Sequence, residues 1–323
     1  MSRAISDAHA VLRDLKTEIR RGLIGQDELV RGLMIALITG GHLLIEGVPG
    51  LGKTRAVHLL ARASHLDFKR LQFTPDLLPG DILGTRIYNQ HSASFDTVRG
   101  PVFTHVLLAD EINRAPAKVQ SALLETMQER QVTIGQESLP IEAPFFVFAT
   151  QNPIEQEGTY PLPEAQLDRF LLKLVVTYPE PSDEQDIVRM VIEEERLPTP
   201  KARLSRQDVL GLQDAVRGVF LEDKLVRYTT DLVQASRRTG EVAGRPLARF
   251  VAMGASPRGA IALATAARAH ALLQGRDSTT PDDVKAVAHA ALRHRILTTY
   301  FAEAEGVSSD QVVDELLATV PVP

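Results

Sequence analysis

One stretch, Gly47–Thr54, constrains the fold of this chain more than any other. Its sequence, GVPGLGKT, matches the phosphate-binding P-loop pattern G-x-x-x-x-G-K-S/T. The apolar run His42–Ile45 before it is typical of a short buried strand, and the segment Arg55–Ala61 after it has the composition of a helix. Strand, glycine loop and helix in this order predict a nucleotide-binding α/β domain. A simple Gly/Pro turn is the alternative, and the agreement between motif and flanks disfavours it.

The residue types in this loop suit a triphosphate. Glycines let backbone N–H groups converge on phosphate oxygens, and the N-terminus of the following helix adds partial positive charge. Lys53 supplies a cation for the β- and γ-phosphates, and the Thr54 hydroxyl is placed to bind Mg²⁺. The predicted nucleotide-binding residues of the loop are Gly47, Pro49, Gly50, Leu51, Gly52, Lys53 and Thr54.

The composition limits the class of protein. The chain has 323 residues, 44% of them hydrophobic, which is enough for one large or two ordinary domains. A net charge of −5 argues against a general affinity for nucleic acid, and the absence of cysteine excludes disulfides and zinc–thiolate sites. The charged N-terminus lacks the apolar segment of a signal peptide, and no apolar run approaches the roughly 20 residues that span a bilayer. We therefore expect a soluble cytoplasmic protein without membrane insertion.

The order of apolar and polar segments predicts an α/β core over residues 1–180. Short apolar runs predict buried strands, and two polar turns between alternating segments predict β-hairpins. The strands are expected at 42–45, 68–73, 105–108, 144–150 and 171–176, and the hairpins at 85–98 and 131–141. The turn-rich segment 74–81 is predicted to be a loop. The expected core is a parallel sheet flanked by helices, with hairpin insertions.

Residues 181–323 are predicted to form a smaller, all-helical domain. Pro179 and Pro181 mark the boundary, beyond which the helical period dominates and strand signals stop. Helix-capping signals occur at Ser182 with Gln185, at Ser256–Pro257, at Thr280–Pro281, and at Ser308 with Gln311. The Gly-rich segment 239–255 is predicted to be a mobile loop.

Two acidic residues follow one of the predicted strands. Asp110 and Glu111 come directly after the run 105–109, and the carboxyl ends of parallel strands share one edge of a sheet. Asp110 is therefore expected near the P-loop, where it can hold Mg²⁺ through water. Glu111 can polarise the attacking water as a general base. An acidic pair in a solvated turn is the alternative, which the upstream P-loop disfavours.

Three further side chains are candidates for contact with the γ-phosphate or its attacking water. Asn152 follows the strand 144–150 at the same edge, and its amide can both donate and accept hydrogen bonds. Arg169 and Arg258 each carry a guanidinium that can bind phosphate oxygens bidentately. From chemistry alone, Asn152 could also be a turn residue before Pro153, and a lone arginine is more often part of a surface salt bridge.

The order of these residues resembles that of AAA+ ATPases, and the tracts around them are similar to those of the MoxR family. The tracts that carry the resemblance are Ala109–Pro116 (ADEINRAP), Leu123–Glu129 (LLETMQE), Ala149–Glu155 (ATQNPIE), Glu164–Phe170 (EAQLDRF) and Gly254–Arg258 (GASPR). Most of these tracts are weak signals individually, and their number and order make the resemblance specific. It covers nearly the whole chain, from Ile24 to the C-terminus.

The resemblance implies a role for each position. Asn152 would be sensor 1, and Arg169 would be the arginine finger donated to the ATP of a neighbouring subunit. Arg258 would be sensor 2, which reports the nucleotide state to a helical lid. Ile24 and Gly25 would lie against the adenine. The two hairpins would be the helix-2 insert and the pre-sensor-1 hairpin.

The resemblance also implies an assembly and an activity. Members of the MoxR family usually form hexameric rings that use ATP and Mg²⁺. They are associated with chaperone-like remodelling of protein partners, often partners with von Willebrand A-type (VWA) metal-ion-dependent adhesion sites. We therefore expect a homo-oligomeric ATPase that remodels or activates a protein partner.

Other functions remain open at this stage. Related rings act as nucleic-acid motors or in metal chelation. The hairpin from Glu129 to Glu142 carries three glutamates against one arginine, whereas a loop that tracks a nucleic-acid backbone should be basic. A monomeric small-molecule kinase is a third class, for which the sequence marks no acceptor pocket. The histidines lack metal-ligand spacing and are expected to be ordinary packing or surface residues.

Overall fold

The computed structural model describes residues 3–91, 93–154, 159–193, 200–201, 204–237 and 249–323. The chain divides into two compact units, each of which is described by itself. The sheet unit comprises Asp14–Arg169 and Leu174–Leu210, and the helical unit comprises Met1–Arg13, Phe170–Lys173 and Gly211–Pro323. The domain boundary between residues 180 and 181 stays a prediction.

The described residues form strands and helices in alternation, followed by a mainly helical region. The strands are β1 (Leu43–Glu46), β2 (Phe68–Gln72), β3 (Gly84–Asn89), β4 (Ser94–Arg99), β5 (Val106–Asp110), β6 (Gln131–Ile134), β7 (Glu137–Pro140), β8 (Phe146–Gln151), β9 (Leu172–Val175), β10 (Val251–Met253) and β11 (Leu297–Thr298). The helices are α1 (Arg3–Arg21), α2 (Asp27–Thr39), α3 (Lys53–Ala63), α4 (Pro79–Leu83), α5 (Ala117–Glu129), α6 (Glu164–Leu167), α7 (Pro181–Glu193), α8 (Arg206–Arg217), α9 (Asp223–Arg237), α10 (Pro257–Leu273), α11 (Pro281–Leu292), α12 (Tyr300–Ala304) and α13 (Ser309–Thr319). A 3-10 helix covers Ile112–Arg114.

A five-stranded sheet has the strand order β2-β5-β8-β1-β9. The pairs β2–β5, β5–β8 and β8–β1 are parallel. Every residue of β5 and the first five of β8 are buried, as expected for strands covered on both faces. The predicted strands are confirmed, with ends shifted by one or two residues. Because β5, β8 and β1 are neighbours, their carboxyl ends lie side by side at one edge.

Helix α2 is almost entirely buried, with nine of its thirteen residues inaccessible to solvent. A helix that is apolar on nearly all sides packs in the interior. A Cβ at Gly32 would lie 2.4 Å from a methyl carbon of Leu174, so the glycine lets this helix approach the end of β9 closely.

His42 joins β1 to its neighbours within the sheet unit. Its Nδ1 accepts from the Val147 N–H at 3.0 Å, and its Nε2 donates to the Met127 carbonyl, with the two atoms 3.3 Å apart. The ring also packs edge-on against Phe145. Burial lowers the pKa of His42 to about 4, and the charge of Arg130 acts in the same direction. His42 is therefore a packing residue, as expected from the sequence.

The segment 74–81 was predicted to be a loop throughout, and this is wrong at its end. Helix α4 begins at Pro79, a favoured first helical residue because it has no N–H to leave unpaired. The Asp81 carboxylate accepts from the Leu78 N–H at 2.8 Å and stabilises this first turn. The Pro-x-Asp spacing carries this signal, which the general turn composition of the segment obscured.

Both predicted hairpins are confirmed. Strands β3 and β4 pair in antiparallel register, as do β6 and β7. A Cβ at Gly135, in the second turn, would lie 2.8 Å from the Arg86 side chain, and Thr97 donates to Glu137 at 3.3 Å. The two hairpins therefore contact each other.

The helical unit contains a short strand pair, which corrects the prediction that strand signals stop after the boundary. Strand β10 pairs with β11 in antiparallel fashion, with an irregular register between Val251 and Met253. Strands of two or three residues are too short to show a recognisable alternation. Of the predicted mobile loop 239–255, residues 239–248 lie outside the described residues.

The helix caps follow the sequence at three of the four predicted places. Ser256 caps α10, Thr280 forms a capping box with Asp283 at α11, and Ser308 does so with Gln311 at α13. The fourth prediction is wrong, because α7 already begins at Pro181 and Ser182 lies inside its first turn. None of the helices in the described ranges is long and apolar enough to span a membrane.

Candidate active site

The P-loop connects the end of β1 to the start of α3. The Gly47 N–H donates to the Gln151 carbonyl at 3.2 Å, and a Cβ at Gly47 would lie 2.7 Å from the carbonyl oxygen of Val176. Gly50 and Gly52 have φ angles of +87° and +79°, which side chains with a Cβ rarely adopt. Loop conformation and close packing therefore both require glycine here. The loop N–H groups and the N-terminus of α3 form a site suited to an anion.

Lys53 is the first residue of α3, and its ammonium group folds back over the loop. Nζ donates to the Val48 carbonyl at 3.0 Å and also to the Gly47 carbonyl. Burial lowers the pKa of Lys53, while the charges of Asp110 and Glu111 act in the opposite direction. The ammonium group is thus placed within the same cradle as the loop N–H groups.

Asp110 ends β5 and is only 7% exposed. Its Oδ1 accepts from the Thr150 hydroxyl at 2.5 Å. Its Oδ2 accepts from Arg70 Nε at 2.9 Å and Nη2 at 2.7 Å, and it lies 3.5 Å from the Thr54 hydroxyl. The carboxylate is therefore held by Thr150 and Arg70, with the P-loop residue Thr54 as its neighbour.

Glu111 has a left-handed backbone conformation, with φ 56° and ψ 51°. Such a conformation costs of order 1 kcal/mol for a residue with a Cβ and persists only when its surroundings fix it. Here the Glu111 N–H donates to the Thr150 hydroxyl at 2.9 Å. The Glu111 Oε2 accepts from Gln72 at 2.7 Å and lies 3.1 Å from Arg114 Nε. Thr150 therefore links Asp110 and Glu111 through one hydroxyl group.

Asn152 follows β8 and is 6% exposed. Its Oδ1 accepts from the Ile154 N–H at 3.2 Å, so it does form the turn around Pro153 that the sequence left open. Because the oxygen is committed to this turn, the amide NH₂ is the group that can donate to a phosphate or a water. Strand β8 lies between β5 and β1, which places Asn152 between the acidic pair and the P-loop.

A cavity of about 530 Å³ adjoins the P-loop. Its lining residues are Gly22, Leu23, Ile24, Gln26, Pro49, Gly50, Leu51, Gly52, Arg55, Tyr178, Pro179, Glu184, Ile187, Val188, Met190 and Val191. Ile24 is one of these residues. Gly25 has a φ of +69°, and a Cβ at this position would lie only 2.9 Å from the side chains of Pro179 and Asp183. Helix α7 supplies one apolar wall. A mostly apolar cavity of this volume suits a nucleoside-sized ligand.

Arg169 lies directly after the short helix α6 and Asp168. Its Nη1 donates to the Leu124 carbonyl of α5 at 3.0 Å. Its Nε is buried and finds no hydrogen-bond partner in the described part of the chain. The structure thus groups the P-loop, Asp110, Glu111 and Asn152 at one sheet edge, and it bonds Arg169 to α5 instead.

Arg258 belongs to the helical unit, where it is the second residue of α10. The segment before it packs against the end of α9. The Ala255 N–H donates to the Ser236 hydroxyl at 3.0 Å, and Gly254 lies so close that a Cβ there would be 2.4 Å from the Ser236 carbonyl oxygen. The Ser256 hydroxyl then accepts from the Arg258 N–H at 3.0 Å. The tract fixes the start of α10 and leaves the Arg258 side chain exposed.

The donor groups fit a nucleotide and a magnesium ion. No cluster of three or more His, Asp or Glu side chains that could hold a metal occurs in the described ranges. Mg²⁺ does not require one, since it is commonly held by one or two protein oxygens together with phosphates and water. The Thr54–Asp110 pair beside the glycine cradle offers that donor set.

Several site residues were not predicted from the sequence. Thr150 and Gln72 are polar residues at strand ends, and Arg70 lies within β2. The only sequence signal of Thr150 and Gln72 is a polar side chain near the carboxyl end of a strand that adjoins β5, and Arg70 carries no such signal. The α7 wall of the cavity carried no signal at all, because it is distant in sequence from the P-loop.

The chain matches known proteins over most of its length. A model of the ATPase family associated with various cellular activities (AAA) matches residues 42–172, and a model of an AAA lid domain matches residues 248–316. The chain is 50% identical over 307 residues to Chaperone MoxR1 of Mycobacterium tuberculosis, with 95% of this chain and 81% of the relative covered. It is 33% identical over 344 residues to Protein MoxR of Paracoccus denitrificans, with 100% and 99% covered.

Structural comparison agrees with these matches. A crystal structure of a candidate ATPase from Cytophaga hutchinsonii is 45% identical and superposes with a TM-score of 0.92, covering 99% of this chain and 97% of that chain. The resemblance inferred from the motif tracts and the predicted fold class are thereby confirmed. The chain belongs to the MoxR family of AAA+ ATPases, enzymes that hydrolyse ATP.

Proposed function

We propose that this chain is a ring-forming, Mg²⁺-dependent ATPase that uses ATP hydrolysis to remodel or activate a protein partner. The observation that carries the proposal is the network at the carboxyl ends of β5 and β8. There the Thr150 hydroxyl joins the Asp110 carboxylate to the backbone of Glu111, beside Thr54 of the P-loop. Two fixed carboxylates beside a phosphate cradle equip a site for hydrolysis as well as for binding.

The phosphates would be held by the loop N–H groups and by Lys53, and the base would lie in the cavity beside Ile24 and Gly25. Thr54 and Asp110 would hold Mg²⁺ with the phosphate oxygens. When bound there, the ion supplies neutralisation of the charge on the transferring phosphoryl group.

The catalytic groups act on the attacking water. The Glu111 carboxylate takes up a proton from that water, and the Asn152 NH₂ orients either the water or the γ-phosphate. Gln72 and Arg114 hold the Glu111 carboxylate through one oxygen, so they set where the general base sits.

Arg169 is proposed to act on the ATP of the neighbouring subunit in a hexameric ring. A buried polar atom without a partner calls for an explanation, and a guanidinium whose ligand lies on another chain provides one. Arg258 is proposed to contact the nucleotide from the helical unit as sensor 2. The β3–β4 and β6–β7 hairpins are proposed to be the helix-2 insert and the pre-sensor-1 hairpin.

The partner is proposed to be a protein, with VWA-domain proteins as one class. Support comes from the relative at 50% identity, which is named a chaperone. A nucleic-acid motor or a metal-chelation subunit is the alternative. The exposed glutamates of the β6–β7 hairpin, such as Glu137, do not favour a phosphate backbone as ligand.

A dilution series tests the ring. If Arg169 acts on a neighbouring subunit, ATPase activity per subunit should rise with protein concentration, since an arginine finger supplies ~10³–10⁵ in rate. Arg169→Ala should stay slow at every concentration while still binding nucleotide. A flat profile in a verified monomer would contradict the ring.

A trapping experiment tests the general base and the partner class. Glu111→Gln should bind ATP, hydrolyse little of it, and retain a protein partner longer than the wild-type chain does. Lys53→Ala, which lacks the phosphate-binding cation, is the matched control and should retain none. Wild-type turnover by Glu111→Gln would remove the assignment. DNA-stimulated turnover that falls steeply with salt would favour the nucleic-acid alternative.

A further inference from the structure

Three consecutive basic residues at the end of α11 bond the backbone of one short segment. We name Arg293–Arg295 the basic triplet and Phe170–Lys173 the held segment. The bonds run from Arg293 Nη1 to the Lys173 carbonyl at 3.2 Å, from His294 Nε2 to the Phe170 carbonyl at 3.1 Å, from Arg295 Nη2 to the Phe170 carbonyl at 2.6 Å, and from Arg295 Nη1 to the Leu171 carbonyl at 3.1 Å. Both elements belong to the helical unit.

Two members of the triplet are buried, so the loss of their hydrogen bonds would be costly. His294 is 8% exposed and Arg295 is 7% exposed. A buried guanidinium is tolerated when its N–H groups are satisfied, and those of Arg295 bond the held segment and the Ala291 carbonyl. Burial lowers the pKa of His294 well below its usual value, and nearby basic side chains act in the same direction. Its ring is therefore neutral and donates through Nε2.

The triplet is in turn fixed within the helical unit. Arg293 Nε donates to the Asp310 carboxylate of α13 at 2.8 Å. Side chains that follow α11 therefore bond the backbone carbonyls of the held segment, whose last two residues also belong to β9. The Phe170 carbonyl alone receives two donors, from His294 and Arg295.

The held segment begins at the residue after Arg169. The division between the compact units falls between Arg169 and Phe170. Consecutive Cα atoms are about 3.8 Å apart, so the backbone of Arg169 cannot move independently of Phe170.

We infer that the basic triplet positions the backbone of Arg169 by fixing the carbonyls of the two residues that follow it, Phe170 and Leu171. This inference rests on the proposed role of Arg169 at a neighbouring subunit's ATP. His294 and Arg295 are positioning residues here, since they act through the backbone and do not touch the nucleotide. A misplacement of about 1 Å in such a group costs roughly 10²-fold in rate.

Arg295→Met is the first test variant, because it keeps the length of the side chain and removes all of its donors. Arg295→Lys, which keeps the charge and one donor group, is the matched control. Arg295→Met should lose roughly 10²-fold in kcat, with the affinity for a fluorescent ADP analogue unchanged because its P-loop is intact. Arg295→Lys should recover part of that loss. If Arg295→Met does not fold, His294→Phe, without a donor, and His294→Gln, with one, give the same comparison.

Mixed rings separate positioning of Arg169 from a merely structural role. Lys53→Ala subunits lack a working P-loop but carry a correctly held Arg169. In rings mixed with Arg295→Met subunits, the Lys53→Ala subunits supply the arginine and the Arg295→Met subunits supply the intact P-loop. Turnover of the mixture should rise to about tenfold above the sum of the separate activities. Mixing Arg295→Met with Arg169→Ala should restore nothing, because neither subunit offers a well-placed arginine.

A control mixture distinguishes failure of the proposed trans-acting role of Arg169 from failure of the positioning role of the triplet. Lys53→Ala mixed with Arg169→Ala should be active if Arg169 acts on the neighbouring subunit. If that mixture is silent, the trans-acting arginine is refuted, and the present inference with it. If it is active while Lys53→Ala fails to rescue Arg295→Met, only the positioning role of the triplet is refuted.

Discussion

Replacing Thr150 by valine tests how the two carboxylates of the site are held. The Thr150 hydroxyl donates to Asp110 at 2.5 Å and accepts from the Glu111 N–H at 2.9 Å. Valine has nearly the same shape and lacks the hydroxyl, so both bonds vanish without a change of volume. The Glu111 backbone, which is left-handed, then loses the contact that fixes it.

The expected cost follows from the two bonds. A hydrogen bond to a charged acceptor contributes ~1.5–3 kcal/mol, and an unsatisfied buried N–H costs ~1–3 kcal/mol. Thr150 is 1% exposed, so water does not replace either partner, but Arg70 still pairs with Asp110. We therefore expect a loss of about 3 kcal/mol. At about 2–4 °C per kcal/mol for a unit of this size, the melting temperature should fall by roughly 6–12 °C.

The assay combines thermal unfolding, nucleotide binding and turnover. Thr150→Val should lower kcat by roughly 10²-fold, because the proposed general base Glu111 is no longer fixed, while the affinity for ADP changes little. Thr150→Ser keeps the hydroxyl and should cost only about 1 kcal/mol for the lost methyl group. A Thr150→Val chain with wild-type kcat would refute the argument that this hydroxyl organises the site.

Three further predictions concern stability. Burial lowers the pKa of His42 from 6.5 to about 4, so as the pH falls the unfolded chain takes up a proton at this ring before the folded chain does. The free energy of unfolding, measured with a chemical denaturant, should therefore fall by up to about 3 kcal/mol as the pH drops between these two values. Gly47→Ala places a Cβ 2.7 Å from the Val176 carbonyl oxygen, so it should destabilise by ~1–3 kcal/mol in thermal unfolding and weaken ADP binding. Arg276→Ala removes two hydrogen bonds to the fully buried Asp283 carboxylate. It should lower the free energy of unfolding by about 2 kcal/mol, a value reduced because the guanidinium is partly exposed, and it should leave ADP binding unchanged.

Each of these has a matched control. His42→Gln should flatten the acid-dependent part of the unfolding curve, and an unchanged pH profile would contradict the assignment to this ring. Gly211→Ala, where a Cβ meets nothing within 4 Å inside α8, should be neutral or slightly stabilising. If Gly47→Ala behaves like Gly211→Ala, close packing is not what requires glycine in the P-loop. Arg276→Lys should retain part of the stability, and equal losses in the two Arg276 variants would argue against charge pairing.

The parts of the fold that sequence predicted well are those with local causes. The P-loop combines an apolar run with glycines whose positive φ only they readily adopt, and β5 is a continuous apolar run ending in Asp110. Ser308 and Gln311 stand at capping-box spacing, so this cap required no tertiary information. Each of these signals lies within a few residues of the structure that it predicts.

The parts that sequence did not predict depend on pairing between distant segments. Gln72 reaches Glu111 because the β2–β5 register places it beside Asp110. Thr150 bonds both acidic residues because β8 adjoins β5, and nothing near Thr150 in the sequence marks this. Likewise, β10 exists only because β11 pairs with it.

The pairing of Arg70 with Asp110 supplies a buried carboxylate with a counterion. A carboxylate that is 7% exposed would be costly to leave without a counterion, and the Arg70 guanidinium, which donates twice to its Oδ2, supplies one from within the chain. Arg70 is half exposed, so it can swing toward solvent without disturbing the packed core. If Asp110 binds Mg²⁺ as proposed, Arg70 would serve as the counterion of this carboxylate whenever the ion is released.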